Sequence, residues 1–442
     1  AEEAYRKAIA LDGKDAYSWY NLGNLYKDHL QKYAEAEEAY RKAIALDEKD
    51  AYSWNNLGNL YQNHLQKYAE AEEAYLNAIA LDEKLAHPWN GLGNLYQNHL
   101  QKYAEAEEAY LNAIALDERF AYPWYNLGNL YRKHFQKYAE AEEAYRKAIA
   151  LDEKFATVWN NLGALYKEHL HKYAEAEQAY RKAIALDEKF ASPWNNLGNL
   201  YQKNFQKYAE AEDAYRKAIA LDEKYASPWN GLGALYHSNL EKFELAEECY
   251  LRAISLNERE PNAWDNLRKL YQYQLKDYEK LERSYLRSLA LDPYDTGIKF
   301  RLIYLYRDKL NQLSEAEKIF QDIEPELVKD DRYFLNKSLF ALYHQNLGMA
   351  KEFLLQALEL IDKRLPTFTQ NDWWRYGAVT NQLKQVAWLT TILEETGYHI
   401  YLSPFYVALM ALQEQDREGF LLSKAAELRE PAKQLVALME SI

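Results

Sequence analysis

Hydrophobic residues recur along most of the chain with the period of an amphipathic α-helix. In residues 51–85, two apolar stripes follow each other, and in both the side chains are spaced at helical intervals. Such spacing places the apolar side chains on one face of a helix. The stripes consist of Trp54, Leu57, Leu60 and Tyr61, followed by Ala71, Ala74, Tyr75 and Ala78. The pattern predicts two amphipathic helices joined by a short turn around residues 66–68.

The two-helix pattern repeats along the chain with a period of 35 residues. Tryptophan marks this period most clearly, at Trp19, Trp54, Trp89, Trp124, Trp159, Trp194, Trp229 and Trp264. A fixed period of this length is typical of repeat proteins, in which each unit buries its hydrophobic face against its neighbours. We therefore predict one stack of helix pairs rather than several globular domains.

Small residues mark the places where the predicted helices approach each other. Gly58 lies inside the first helix, where glycine costs about 1 kcal/mol relative to alanine, and Ala71 lies in the second helix. The glycine recurs at Gly23, Gly93, Gly128, Gly163, Gly198 and Gly233. Its recurrence predicts close packing of the two helices. Prolines such as Pro88 precede the tryptophan, within the first helical turn, where a missing N–H is tolerated.

The repeats lose regularity toward the C-terminus, where Arg268 and Ile303 replace the glycine. We predict an array over residues 1–330 with about nine units, the first of them truncated. A degenerate helical pair over 331–364 and a helical capping domain over 365–442 would follow, because a stack needs an atypical end to cover its last apolar face. The chain starts inside a repeat, which suggests a fragment of a longer protein.

The order Trp, Leu-Gly and Tyr on the first helix, then Ala, Tyr and Ala on the second, resembles the tetratricopeptide repeat (TPR) family. The resemblance covers residues 1–330 and implies an all-α fold, a right-handed superhelical solenoid of antiparallel helix pairs. It also implies that first helices line the concave face and second helices the convex face. The unit is one residue longer than usual, and Leu65, Phe135 and Phe205 replace a small residue at the inter-helix turn.

The first helix varies among the copies while the second is nearly constant. The variable polar positions are spaced i, i+4 and i+7, so they share one helical face, which is the predicted partner-binding groove. Amide side chains both donate and accept hydrogen bonds, which suits an extended peptide. The candidates are Tyr20, Asn24, Lys27, Asn55, Asn59, Gln62, Asn90, Asn94, Gln97, Tyr125, Asn129, Arg132, Asn160, Lys167, Asn195, Asn199 and Gln202. Alternatively, the asparagines are solvated and recur because the unit was copied.

Charge narrows the range of partners. The formal net charge is −14, which argues against nucleic acid and is easier to reconcile with a basic protein. The acidic residues of the second helix, such as Glu70, Glu72 and Glu73, are expected on a solvated outer face. The sequence has neither a signal peptide nor an apolar run long enough to span a bilayer, so we expect a cytoplasmic protein without a membrane contact.

No pattern in the sequence indicates catalysis or a cofactor. The histidines His29, His64, His99, His134 and His169 share the 35-residue period, and equivalent points in stacked repeats lie on the order of 10 Å apart. That is too far to share a metal ion. Cys249 fits a buried thiol. Nucleotide-binding glycine motifs are missing. We therefore expect no enzyme activity, no cofactor and no metal.

Two functions fit these observations. The first is a module that binds a protein or peptide on its concave face. The tail contains WWRYGAVTNQL at 373–383, LEETGYHIYLSPFYVALMAL at 393–412 and REPAKQL at 429–435. With these segments it resembles the C-terminal regions of bacterial STAND-type ATPases, which would make the array a ligand sensor preceded by an ATPase. The alternative is a structural or self-assembling scaffold, in which the uncapped first repeat stacks end to end on another copy.

Overall fold

The computed structural model of the chain describes residues 1–324, 331–346, 348–349, 352–353, 356–357 and 360. Regular structure in these residues is helical throughout, without strands. The predicted all-α solenoid is confirmed. The chain divides into two compact units, Ala1–Leu267 and Arg268–Ile442. The predicted domain boundaries at 330 and 364 stay predictions, and the predicted cap over 365–442 lies outside the described residues.

Seven repeats follow one another in the first unit, and repeats 1 to 7 begin at residues 16, 51, 86, 121, 156, 191 and 226. Positions 1 to 35 are counted from these residues, so that tryptophan is at position 4. The first helices are Ala16–Leu25, Ala51–Leu60, Ala86–Leu95, Ala121–Leu130, Ala156–Leu165, Ala191–Leu200 and Ala226–Ser238. Asp15 precedes the first helix of repeat 1 and is its N-cap, because its side chain accepts a hydrogen bond from the Ser18 backbone N–H.

The first helix of repeats 1 to 6 ends in a π-helical turn. These turns are Tyr26–Leu30, Tyr61–Leu65, Tyr96–Leu100, Tyr131–Phe135, Tyr166–Leu170 and Tyr201–Phe205. A π turn holds one residue more than an α turn, and this accommodates a unit one residue longer than the usual TPR unit. The next residue, for example Gln66 with φ 54°, is left-handed and reverses the chain.

The second helices complete each pair. They are Tyr33–Leu46, Tyr68–Leu81, Tyr103–Leu116, Tyr138–Leu151, Tyr173–Leu186, Tyr208–Leu221 and Phe243–Leu256, with Glu2–Leu11 ahead of repeat 1. Each second helix of the seven repeats buries a tyrosine at position 25 between small residues. Tyr180 is one of these, and a Cβ added to Gly163 would lie 2.7 Å from its ring. The predicted close helix packing at the glycine is therefore confirmed, because no larger residue fits there without a shift.

First helices of neighbouring repeats pack against each other, whereas second helices lie farther apart. Ala51–Leu60 contacts Ala86–Leu95, and Ala191–Leu200 contacts Ala226–Ser238. Closer approach on the first-helix side curves this unit toward that side. We call the first-helix surface the inner face and the second-helix surface the outer face.

On the outer face, the same tyrosine–glutamate hydrogen bond joins each pair of neighbouring repeats from repeat 1 to repeat 7. Tyr61 Oη donates to Glu37 Oε1 at 3.0 Å, and Lys67 Nζ donates to Glu37 Oε2 at 2.9 Å. The equivalent Tyr96 Oη donates to Glu72 at 2.9 Å. The expectation of a purely solvated acidic face was therefore wrong for Glu72, since the glutamates at position 22 are half-buried and link repeats. Glu70 and Glu73 are exposed as expected.

The helix Pro261–Lys269 runs across the border between the two units. The second unit continues the helix pairs with a different core. It comprises a π turn at Leu270–Leu275 and helices Tyr278–Leu291, Thr296–Asp308, Leu313–Ile323 and Asp331–Tyr343. Where the regular repeats carry glycine at position 8, Arg268 lies with its guanidinium 5.1 Å from the centre of the Tyr285 ring. A cation–π contact thus occurs where the regular repeats have the glycine–tyrosine contact.

Candidate binding groove

The predicted groove residues lie on the inner face, at positions 5, 9 and 12 of the first helices. The structure brings them together as three rows across the repeats, because neighbouring first helices pack side by side. Positions 5 and 9 belong to the α-helical part of the first helix. Position 12 belongs to the π turn in repeats 1 to 6.

The asparagines at position 9 bind the buried tyrosines of the second helices. Tyr40 Oη donates to Asn24 Oδ1 at 2.7 Å, and Tyr145 Oη donates to Asn129 Oδ1 at 2.8 Å. The same bond holds Asn59, Asn94 and Asn199. A buried hydroxyl without an acceptor is costly, so these asparagines stabilise the helix pair. The hydrogen bond to the buried tyrosine therefore explains why asparagine recurs at position 9. Neither ligand binding nor copying of the unit is needed to explain it.

Position 5 takes part in contacts between repeats. Tyr20 Oη accepts a hydrogen bond from Asn56 Nδ2 at 3.0 Å, and Tyr125 Oη accepts one from Asn161 Nδ2 at 3.3 Å. Both tyrosines are half-buried. Asn90 and Asn160 accept the same kind of bond. The structure buries Asn55, Asn160 and Asn195, while Asn90 is half-buried.

The side chain at position 12 is a neutral amide in some repeats and a cation in others. Gln62, Gln97 and Gln202 are buried and accept a hydrogen bond from the tyrosine at position 25. The other repeats with a predicted groove residue here carry a cation that stays partly exposed. These cations are Lys27, Arg132 and Lys167.

Sequence reasoning missed the asparagines at position 6. Asn56, Asn126, Asn161 and Asn196 donate across the interface to the preceding repeat. In repeats 3 and 7 a glycine stands there, and a Cβ on Gly91 would lie 2.6 Å from the Tyr75 ring. The signal was present in the sequence, because this position is asparagine wherever it is not glycine.

An exposed aromatic edge borders the inner face. Tyr17, Tyr52 and Tyr122 at position 2 are 73%, 56% and 55% exposed. The ring centroid of Tyr122 lies 4.9 Å from that of Phe155, which lies 5.2 Å from that of Tyr125. Aromatic surface of this kind favours contacts with a partner, since such rings bury a large area at low entropic cost.

The periodic histidines have a packing role. His64 stacks on Tyr33 of the preceding repeat with ring centroids 4.3 Å apart, and His134 stacks on Tyr103 at 4.0 Å. Burial, with a smaller contribution from Lys133, lowers the pKa of His134. In the part of the chain that the structure describes, no group of three or more His, Cys, Asp or Glu could hold a metal ion.

Cys249 is a buried residue of the second helix of repeat 7, as the sequence predicted. Burial, followed by the charge of Glu248, raises the pKa of its thiol to about 12. A thiol in this state is a poor nucleophile.

Family profiles decide the class of repeat. A tetratricopeptide repeat profile matches residues 51–85, 86–120, 191–225 and 226–260, and a second one matches residues 4–38. A TPR repeat profile matches residues 30–64, 136–169 and 170–204. Together the matches cover more than half of the 442 residues. The chain is a tetratricopeptide repeat protein. TPR arrays typically serve in protein–protein interaction or as scaffolds and are not themselves catalytic.

Solved structures similar to this TPR protein include other repeat arrays. YrrB, described as a TPR protein with an unusual peptide-binding site, is 23% identical, with 44% of this chain and 97% of YrrB covered and a TM-score of 0.35. PilF of Pseudomonas aeruginosa is 21% identical, with 50% and 96% covered and a TM-score of 0.43. A tetratricopeptide repeat protein of Parabacteroides merdae is 20% identical, with 58% and 98% covered and a TM-score of 0.45. Among curated proteins, none matches this sequence.

Two sequence expectations for the TPR protein remain predictions. The tail on which the resemblance to STAND-type ATPases depends lies outside the described residues. No helix within the described ranges combines the length and the apolar character needed to cross a bilayer. The cytoplasmic location stays a prediction.

Proposed function

We propose that the inner face of repeats 1 to 7 binds an extended segment of a protein partner and that the chain is a non-catalytic interaction module. One observation carries this proposal. Within the first helix the repeats differ most at positions 2, 12 and 13, while the core positions of both helices are nearly the same in every copy and the second helix varies mainly at positions 26 and 27. Greater variation on the first helix than on the second is what an inner face fitted to a ligand would produce.

The side chains of the inner face suit a peptide backbone. Tyr20 and Tyr125 are half-buried and rigid, and their hydroxyls lie beside asparagine amides at 3.0 and 3.3 Å. Tyrosine anchors of this kind contribute disproportionately to binding energy. The partly exposed cations Lys27, Arg132 and Lys167 add donors along the same face. The buried asparagines of position 5 shape the floor of the groove.

The test uses the full chain and a random peptide library, followed by titration of a selected peptide by fluorescence anisotropy. The inner-face variant is Tyr20→Ala/Tyr125→Ala. The control is Lys42→Ala/Lys147→Ala, which changes two exposed lysines of the outer face. Circular dichroism verifies that both variants are folded.

We expect the selected peptide to bind the control as it binds the parent. It should bind the inner-face variant at least tenfold more weakly, because the substitutions remove two aromatic anchors from the groove. Equal binding to all three proteins would place the site elsewhere. Failure of the parent to select any peptide would favour the scaffold function.

A further inference from the structure

Basic side chains of the inner face are concentrated in repeats 4 to 6. Positions 12 and 13 of these repeats carry Arg132, Lys133, Lys167 and Lys203, with Glu168 as the single acid. We call these four cations the basic cluster. The same positions of the other repeats carry no net charge: Lys27 and Asp28, Gln62 and Asn63, Gln97 and Asn98, His237 and Ser238. The cluster is a local positive excess on a chain of formal net charge −14.

The basic cluster spans neighbouring repeats and shares one carboxylate. Arg132 Nη1 lies 3.6 Å from Glu168 Oε2, and Lys167 Nζ lies 3.7 Å from Glu168 Oε1. Both contacts are longer than a good charge-assisted hydrogen bond. Burial lowers the pKa of Lys167; the charge of Glu168 opposes this shift, and the charge of Lys203 adds a smaller lowering. Lys167 and Lys203 are thus close enough to repel each other, and one carboxylate, Glu168, lies beside two of the four cations.

Repeat 5 lacks a hydrogen-bond acceptor that the neighbouring repeats have. Position 9 is Ala164 in this repeat, whereas repeats 1 to 4 and 6 carry asparagine. Tyr180 Oη is consequently buried without a hydrogen-bond partner among the described residues, and the same holds for Arg132 Nε. Arg132 lies at the interface between repeats 4 and 5, where it meets Glu168, and Tyr180 lies in the second helix of repeat 5, against Gly163.

An oxygen anion is the chemical complement of this arrangement. A carboxylate has two oxygens that accept several hydrogen bonds, and a guanidinium binds it in a fixed planar geometry. Tyr125 lies on the same helical face as Arg132, seven residues earlier, and offers a ring for the apolar part of the bound segment. We propose that the basic cluster of repeats 4 to 6 binds the side-chain carboxylate of an aspartate or glutamate in the partner segment.

This inference rests on the proposed function and refines what the sequence suggested about the partner. The net charge alone favoured a basic partner. Charges separated by more than about 8 Å are largely screened at physiological salt, so the acidic groups of the outer face contribute little in the groove. The local excess of cations at repeats 4 to 6 therefore decides the preference there.

The experiment selects random short peptides, presented between neutral flanking sequences, on the immobilised full chain. Four proteins are compared: the parent, Arg132→Gln/Lys167→Gln, Lys203→Gln, and the control Lys147→Gln/Lys182→Gln. The control removes two exposed outer-face lysines from repeats 4 and 5. Lys203 is exposed, so its substitution leaves the fold intact. Thermal unfolding verifies that the double variant is folded.

We expect the parent and the control to enrich aspartate or glutamate at one register of the peptide. The double variant should lose this enrichment, and Lys203→Gln should weaken it. A synthetic peptide with the selected acid should bind the parent about tenfold more tightly than the same peptide with the corresponding amide, as expected for one charge-assisted contact.

Each contrary outcome has a distinct meaning. Peptides enriched without an acidic residue, or with the same acidic preference in the double variant, would overturn this inference and leave the proposed function standing. If the parent enriches no peptide, both fail. Loss of binding when the peptide's C-terminus is amidated would overturn it in favour of a terminal carboxylate. Tighter binding of a phosphoserine at the same register would overturn it in favour of a phosphate.

Discussion

The outer and inner faces of repeats 1 to 7 differ in how far the copies vary. On the outer face, a tyrosine at position 11 of each of the seven repeats donates to a glutamate of the preceding helix. This glutamate is Glu2 for repeat 1 and stands at position 22 of the preceding repeat for repeats 2 to 7. On the inner face, an asparagine at position 6 donates to the preceding repeat, and its acceptors differ from repeat to repeat. They are Tyr20 and Asn24 in repeat 1, Asn90 in repeat 3, Tyr125 and Asn129 in repeat 4, and Asn160 in repeat 5.

The difference shows which contacts the stack needs at every interface. A uniform outer link keeps the repeats in register, since the stability of such an array depends on the interface between each repeat and its neighbour. The inner hydrogen bonds tolerate substitution of the acceptor residue, because either an amide oxygen or a tyrosine hydroxyl can accept from the asparagine at position 6. The inner face can therefore change its chemistry from repeat to repeat while the array stays folded.

The largest effect is expected in the core that both faces share. Tyr145 is fully buried. The substitution Tyr145→Ala should lower the free energy of unfolding by about 3–5 kcal/mol, the usual range for removing a large buried aromatic side chain. Urea denaturation measures this loss. Tyr145→Phe, which keeps the ring and loses only the hydroxyl, should cost far less. Similar losses for both would show that the ring packing is unimportant.

The second-largest loss of stability is expected from removing the inner hydrogen bonds of Asn129 in repeat 4. Asn129 Oδ1 accepts hydrogen bonds from Tyr145 Oη at 2.8 Å and from Asn161 Nδ2 at 3.0 Å. The substitution Asn129→Ala leaves both donors without this acceptor and should cost about 1–3 kcal/mol in urea denaturation. The exposed Asn63→Ala serves as the control.

In repeat 5, Ala164→Asn should restore the acceptor for Tyr180 and raise the free energy of unfolding by up to about 1 kcal/mol.

A smaller effect is expected from the outer link of repeat 4. Tyr166, Lys172 and Arg146 each donate a hydrogen bond to Glu142 at 3.0 Å. The substitution Glu142→Gln should cost about 1 kcal/mol in urea denaturation, because the amide keeps an acceptor oxygen while the charge is lost. Glu143→Gln, on the exposed neighbour, should be nearly neutral. Equal losses in the two variants would show that the outer link adds nothing.

The same link predicts a pH dependence. Burial raises the pKa of Glu142, but the contacts from Lys172, Arg146 and Tyr166 outweigh it, so the net pKa lies below the ordinary 4.5. A carboxyl with a depressed folded-state pKa stabilises the protein above its unfolded-state pKa and loses that contribution as the pH falls. Stability should therefore drop below about pH 4.5, and less steeply in Glu142→Gln. An identical pH profile in the two proteins would contradict this.

The smallest effect is expected from a substitution that adds an arginine to the outer link of repeat 2, which has the tyrosine–glutamate bond but lacks the arginine. Leu76 in repeat 2 is 46% exposed, at the position where Arg41 binds Tyr61 and Glu37 in repeat 1. The substitution Leu76→Arg should bring a guanidinium to Glu72 and Tyr96 and raise the free energy of unfolding by about 0.5 kcal/mol. Leu76→Gln is the control, and an equal gain there would indicate only the removal of exposed apolar surface.

The sequence predicted the helix pairs and their packing because one period of 35 residues fixes both. The spacing of Trp54, Leu57 and Tyr75 indicates which faces are buried, and Gly58 indicates where the helices touch. The π turn at Tyr61–Leu65 was not predictable from this pattern, since a single extra residue shifts the hydrophobic period by too little to be recognised.

The polar contacts were harder to predict. Hydrophobic periodicity places Tyr75 in the core but does not identify Asn59 as the acceptor of its hydroxyl. Glu72 was assigned to a solvated face because its partners Tyr96 and Lys102 belong to the next repeat and come together with it only in the stack. The candidate groove residues lie on one face of the first helices, and their role in binding a partner stays a prediction.

Hydrogen–deuterium exchange of the full chain, with and without a peptide selected from the library, tests the central claim most directly. If the inner face binds the peptide, amide exchange should slow in the first helices and π turns, above all between residues 121 and 205, and stay unchanged in the second helices. Slowed exchange confined to the second helices, or to residues beyond 267, would contradict the assignment of the binding site to the inner face.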